Sequence, residues 1–270
     1  MSQPLLTSAR RLAIAIGALL STAPGVRAVQ AEIVAVAGAD ADAVARASAD
    51  AFAEAPADAG AGARLLDGVQ VTATRRQAAV LDVPPAVTVV DAEQLRRRLG
   101  LTVTDHLRGQ PGTFVQQTTP GQGTVIIRGL KGSEVLHTVD GFRLNNAFFR
   151  NAPNQYIALV DPLALDRIEV VRGPMATRYG ADAMGGVVQF LSWRPEFEGE
   201  HWQQQGGLRL RAGSADGAAQ IRLFEAIGQE DLHLAAGHSR QTVERRRVGG
   251  GERLHFTGYR QHSSDLALAH

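Results

Sequence analysis

The sequence predicts an α+β domain, a small mixed sheet with short helices, followed by strands of a different texture. Two observations carry this. Between residues 86 and 193, apolar runs of strand length are punctuated by Gly-rich turns and by two segments with helix signals. After Pro195, leucines alternate with charged residues along longer segments. One stretch poses the functional question. In "RIEVVRGP" (residues 167–174), Arg167, Glu169 and Arg172 sit among Ile168, Val170 and Val171 until Gly173 and Pro174 end the ladder. Charges on a strand normally face water, so what these three face has to be found.

The 270 residues suffice for one or two domains, but an aromatic content of 5% is thin for one compact globule. With no cysteine, disulfides and thiolate metal sites are excluded. The N-terminus reads as a signal peptide over residues 1–28. Arg10 and Arg11 precede the apolar run Leu12 to Leu20, and Val26, Arg27 and Ala28 close it with residues tolerated at a cleavage site. The run is too short to span a bilayer as a helix. Removing it takes Arg10, Arg11 and Arg27, leaving 25 basic against 27 acidic groups, a balance that argues against a nucleic-acid partner. Alanine then occupies every odd position from Ala35 to Ala63. A period of two suits a strand, yet alanine buries little surface and Asp40, Asp42, Asp50 and Asp58 discourage pairing, so residues 29–66 are expected to form a disordered Ala-rich linker.

Order is expected to begin near Leu66. Val69, Val71 and Ala73 alternate with Gln70, Thr72 and Thr74, giving a short edge strand, or a peptide open to strand addition. "AVTVV" (Ala86 to Val90) reads as a strand, and Asp91 starts a helix with Gln94 at the capping spacing and Gly100 as its stop. A second short helix, "VTDHLRGQ", ends before Pro111 and Gly112. Strands follow at "TFVQQ", "TVIIRG", "EVLHTVDG", "DRIEVVRG" and "GGVVQFLSW". These make one α+β unit of about 125 residues. Two of its loops, residues 116–123 and 142–156, are long and rich in amides, arginine and aromatics. Loops of that composition on a rigid scaffold suit ligand contact. The candidates are Gln116, Gln117, Arg143, Asn145, Asn146, Phe149, Arg150, Asn154 and Tyr156, with simple bracing or solvation as the alternative role.

Six stretches, "VQVTATR", "DVPPAVTVVDAEQL", "TDHLRGQPGTFV", "TVIIRGL", "VDGFRLNN" and "LDRIEVVRGPMATRYGADAMGGVVQF", occur in the order found in plug domains of TonB-dependent outer-membrane receptors. The chain resembles that family over residues 67–195. The resemblance implies a plug inside a 22-stranded barrel, exposed to polar lumen walls and not to bulk water. It implies that Arg128, Glu169 and Arg172 form ion pairs with the barrel, arginine suiting this because its fork holds carboxylates bidentately. It implies that Val69, Gln70, Val71, Thr72, Ala73 and Thr74 are the TonB box, which pairs with periplasmic TonB by strand addition. The expected location is the outer membrane of a Gram-negative bacterium, with outer-membrane lipid as a further partner.

Residues 196–270 then read as the first strands of an incomplete antiparallel transmembrane β-barrel. Leu208 and Leu210 alternate with Arg209 and Arg211, and Leu254 and Phe256 with His255 and Thr257, as a wall with lipid outside and a polar lumen requires. The segments 205–214, 218–229, 231–247 and 252–263 are expected to be four strands, with a fifth starting at Asp265. A barrel of this class needs several hundred residues, so a truncated sequence is expected, its remaining barrel absent in cis.

No P-loop, H-E-x-x-H or G-x-S-x-G pattern is present, so an enzyme, catalytic residues, a metal site and a bound cofactor are not expected. Two functions fit. One is gated, energy-coupled uptake of an iron complex, haem or a cobalamin-like ligand. The other is an exported plug-only binding protein, a fragment of a broken receptor gene.

Overall fold

The computed structural model describes residues 26–35, 70–71, 78–79, 86–145, 156–213, 217–230 and 232–269. It divides into two compact units, Gly62–Arg194 and Met1–Ala61 with Pro195–His270. The first strand of the chain, β1 (Val26–Ala35), belongs to the second of these.

The Gly62–Arg194 unit opens with a two-residue pairing of β2 (Gln70–Val71) and β3 (Ala78–Ala79). Strand β4 (Ala86–Val90) leads into helix α1 (Ala92–Arg97), whose start is fixed by Asp91, which accepts a 2.8 Å hydrogen bond from the Gln94 amide. Helix α2 (Val103–Leu107) is fixed at its N-terminus by the Asp105 carboxylate, which accepts from the amides of Leu101 and Thr102. Strands β5 (Thr113–Gln116) and β6 (Thr124–Ile127) pair with each other in a separate two-stranded sheet. The remaining strands are β7 (Val135–Val139), β8 (Phe142–Arg143), β9 (Leu165–Arg172) and β10 (Gly186–Ser192), with the one-turn helix α3 (Ala176–Tyr179) between the last two.

The main sheet has the order β4-β9-β10-β7-β8 and is mixed, β10 running parallel to β7 and antiparallel to β9. Both of its faces are covered. Ile168, Val170, Val188 and Phe190 face one cluster with Leu95, Leu107 and Ile127, whereas Val171 and Val187 face a smaller one with Leu136 and Tyr179. Alternation along β9 and β10 therefore separates two cores instead of core from water.

In the other unit the sheet order is β1-β11-β12-β13-β14, with β11 (Gln203–Gly213), β12 (Ala218–Gln229), β13 (Leu232–Val243) and β14 (Tyr259–Ala269) antiparallel in sequence. Among the described residues no helix is long and apolar enough to cross a membrane.

Two expectations need correction here. The Ala-rich linker was expected to begin at residue 29, but Val26–Ala35 is a strand parallel to β11, in register from Ala28 opposite Gln205 to Ala35 opposite Ala212. Val29, Ile33 and Val34 are β-formers placed ahead of the Asp-rich alternation, and the edge of β11 is a ready template for them. The rest of the linker, and residues 1–25 of the signal peptide, lie outside the described residues.

The second correction concerns residues 252–263, expected as a fourth strand with a fifth starting at Asp265. Residues 244–258 instead form a connection, with Arg247 bridged to Arg253 and positive φ at Gly250, Gly251 and Phe256. A single strand, β14, then runs straight through Ser264. Gly258 interrupts the short Leu254–Phe256 alternation, whereas Tyr259–Ala269 pairs residue for residue with β13, from Tyr259 opposite Val243 to Ala269 opposite His233.

Candidate functional site

The strand β9 that raised the question divides its charges between the two sheet faces. Glu169 is wholly buried on the face of Val171, and its Oε1 accepts a 2.9 Å hydrogen bond from Arg167 Nε. This corrects the expectation that Glu169 meets the barrel, for its partner lies two residues away on the same face. A buried carboxylate needs a charge-matched donor close by, and the i, i+2 spacing of a strand supplies one.

Arg172 is different. Its Nη1 donates to Pro111 O at 2.9 Å and to Thr88 Oγ1, and its Cδ lies where Gly112, at φ +66, leaves room. A Cβ on Gly112 would come within 2.9 Å of that carbon. Burial first and the charge of Arg128 second hold the Arg172 guanidinium below the usual arginine range. Arg128 approaches from the hairpin turn after β6. Ile127 and Leu130 exchange hydrogen bonds of 2.9 and 3.0 Å across Arg128 and Gly129, whose φ angles of 52° and 84° mark a tight primed turn. Arg128 is exposed, and its guanidinium faces Gly173. Two arginines thus meet at the Gly173–Pro174 turn, and neither has a carboxylate partner among the described residues.

A non-glycine residue held at positive φ costs about 1 kcal/mol, so the turn itself does not favour arginine at position 128. Arg128→Asn tests what keeps it there. Asparagine tolerates this conformation, so the melting temperature is expected to stay level or rise while uptake by the receptor falls. A lower melting temperature would assign Arg128 to stability.

The loop candidates separate into tied and untied groups. Asn145 is buried; its Oδ1 accepts from the His137 amide at 3.0 Å and its Nδ2 donates to Val135 O at 3.0 Å. This corrects its assignment to the ligand-facing set, because its amide serves as an extra rung beside β7. Gln117 is held on α2, its Nε2 donating to Thr104 Oγ1 at 3.2 Å and Asp105 Oδ1 at 3.3 Å and its Oε1 accepting from Arg108. Gln116 ends β5, half-buried. Arg143 is exposed and forms an ion pair with Asp182, and Tyr156 packs partly buried against the larger core cluster. Asn146, Phe149, Arg150 and Asn154 lie outside the described residues, as do Val69, Thr72, Ala73 and Thr74 of the box segment. Its other two members, Gln70 and Val71, pair with Ala79 and Ala78.

Nothing in the sequence marks the Arg143–Asp182 pair, since 39 residues separate the partners. Nor does anything in it mark His137 as a buried group of β7. Among the described residues no three His, Asp or Glu side chains are placed to hold a metal ion.

Comparison with known proteins fits this arrangement. The model of the TonB-dependent receptor plug domain family matches residues 79–187. The iron-regulated outer membrane virulence protein of Vibrio cholerae is 37% identical over 184 residues, 65% of this chain and 27% of that protein. The vitamin B12 transporter BtuB of Vibrio vulnificus is 36% identical over 228 residues, 75% of this chain and 36% of that protein. The chain thus spans between 27% and 36% of the length of these two relatives. A solved structure of the Serratia marcescens hemophore receptor HasR, in complex with its hemophore HasA and heme, shares the fold with a TM-score of 0.59 at 21% identity, over 70% of this chain and 29% of that one. Of the three, BtuB is named a transporter and HasR a receptor. Residues 79–187 of the chain thus form a plug domain of the TonB-dependent receptor family.

Proposed function

We propose that this chain is the gating part of an outer-membrane transporter that takes up an iron complex, haem or a cobalamin-like ligand with energy delivered through TonB. The observation that carries the reading is the Arg128–Arg172 pair, two adjacent cations beside a turn with no carboxylate partner among the described residues. Such a pair is costly in a free-standing globule and is satisfied by acidic side chains on a surrounding wall. The apolar segment ahead of β1 directs export, and the strands from residue 196 onward begin the wall. Segment 69–74 is the TonB box. Its hold on the plug, a two-residue ladder, is weak enough to be exchanged for a strand of TonB. The loop 142–156 contacts the ligand, through those members that the fold leaves untied. The names of the relatives cover iron, vitamin B12 and heme, which sets the ligand classes to try.

Cells expressing the receptor that carries this chain should be offered labelled haem, a ferric siderophore and cobalamin in turn, with and without TonB. Accumulation of one ligand class only when TonB is present is the expected result. Uptake of none, or uptake indifferent to TonB, would reject transport.

A further inference from the structure

The strands β11–β14 carry a second recognition surface on the side away from the polar face. Their connections give them a direction. Residues 230–231 join β12 to β13, whereas residues 244–258 join β13 to β14. Outer-membrane barrels have short periplasmic turns and longer extracellular loops, so Val243 and Tyr259 lie at the extracellular ends of their strands.

Register separates the two faces. On one, Arg222, Ser239 and Asp265 are polar and interlinked, Arg222 holding Asp265 bidentately at 2.7 and 2.8 Å and donating to Ser239 Oγ at 3.1 Å, while Arg209 lies over the Phe224 ring. The other carries Leu208, Leu223, Ile227, Leu234, Leu266 and Leu268. The apolar one is the outward, lipid-facing side.

Toward the extracellular ends of β13 and β14, that outward side changes character. His238 stands opposite Ser264, Arg240 opposite His262, and Thr242 opposite Arg260. The His238 Nδ1 and Ser264 Oγ are 2.9 Å apart, and the rings of His238 and His262 are 6.1 Å apart between centroids. All four basic side chains are exposed, and among the described residues none stands directly opposite an acidic one; Glu225, opposite Ala236 on the same face, accepts from Gln204, and Glu244 of the adjoining loop pairs with Arg253. The nearby Asp265 belongs to the opposite face, engaged by Arg222. The adjoining loop adds Arg245, Arg246 and Arg247, also exposed.

An arginine on the lipid face costs about 2–4 kcal/mol at mid-membrane and about 0–1 kcal/mol near the interface. Two of them beside two histidines therefore belong at headgroup level, and with no acidic partner among the described residues they complement an anion. Below them Leu234, Leu266 and Leu268 continue the same face as an apolar strip. A phosphate above an acyl chain matches that order from charge to leucine, which a free phosphate does not.

We propose that Arg240 and Arg260, with His238 and His262 as hydrogen-bonding companions, form a site on the outside of the barrel for the phosphate groups of an anionic glycolipid of the outer leaflet. The inference rests on the reading of β11–β14 as barrel wall in the outer membrane. Arginine forks grip phosphate bidentately, and the leucines beneath receive the lipid chains.

The receptor that carries this chain, purified from outer membranes in detergent, should be titrated with bisphosphorylated lipid A, with lipid A stripped of its phosphates, and with inorganic phosphate. Arg240→Gln combined with Arg260→Gln should weaken binding of bisphosphorylated lipid A by about tenfold or more, the scale of losing two charge-assisted contacts. Dephosphorylated lipid A should bind wild type and variant alike. His238→Gln combined with His262→Gln should give a smaller loss in the same direction, and serves as the test if the arginine variant does not reach the folded, heat-modifiable form. Equal affinity for the two forms of lipid A, or affinity untouched by both pairs of substitutions, would overturn the site. Complete displacement of lipid A by inorganic phosphate would also overturn it, in favour of a free-phosphate site. A receptor absent from the outer membrane fraction would instead remove the barrel reading itself.

Discussion

Replacing Val71 with proline is expected to abolish uptake while leaving ligand binding at the cell surface unchanged. Strand addition transmits force through main-chain hydrogen bonds, and proline removes a donor from the middle of the segment proposed to pair with TonB. In the resting chain Val71 pairs with Ala78 in a ladder of two residue pairs, which contributes little to stability because so short a pairing is marginal in water. The plug core, built from β4 onward, does not include it. Binding and transport are therefore separable by this one substitution. Surface binding measured in the cold and accumulation measured with energised cells would give the two numbers. Loss of both would make the segment a structural part of the plug.

The helices and the main sheet were legible because their signals are local. Asp91 caps α1 through the Gln94 amide, and Asp140–Gly141, both at positive φ, turns β7 into β8 as an Asp-Gly pair in a hairpin should. What escaped depended on distance or on a second core. Glu169 was read as facing outward because it is charged on an otherwise apolar strand. A two-sided sheet leaves no solvent face, and Arg167 neutralises it from within. Asn145 was read as a contact residue because it lies in a polar loop, but the pairing of β8 with β7 turns its amide inward. β14 is divided at Ser264 in the sequence reading because its leucines begin only at Leu266, whereas what makes Tyr259–Ala269 one strand is its pairing with β13. β1 illustrates the converse, a strand created by an available edge more than by its own pattern.

Acidification is expected to weaken the plug through His137. The side chain is buried in β7, and burial pushes its pKa down from 6.5 to about 4, with hydrogen bonds to Asn145 and Val135 opposing the shift without cancelling it. Between those two values the unfolded chain takes up a proton that the folded chain refuses. Stability therefore rises with pH across that window. The neutral imidazole has no titration cost above pH 6.5, and the loss accumulates as pH falls toward 4 and levels off below it. Each pH unit within the window carries about 1.4 kcal/mol, so the full loss is about 3 kcal/mol, a large share of a domain's margin. Carboxylates titrate at the lower end of the same range, so the comparison must be with a variant that lacks the imidazole. His137→Leu keeps the backbone amide that donates to Asn145 and removes the titrating ring. Denaturant unfolding of both proteins in detergent, repeated at half-unit steps from pH 7 to pH 4, should show a wild-type curve falling more steeply than the variant's by about that amount. Parallel curves would mean that His137 is solvated or protonated in the folded plug. The site would then be open to water, and the Asn145 rung beside β7 would be a hydrated bridge instead of a closed one.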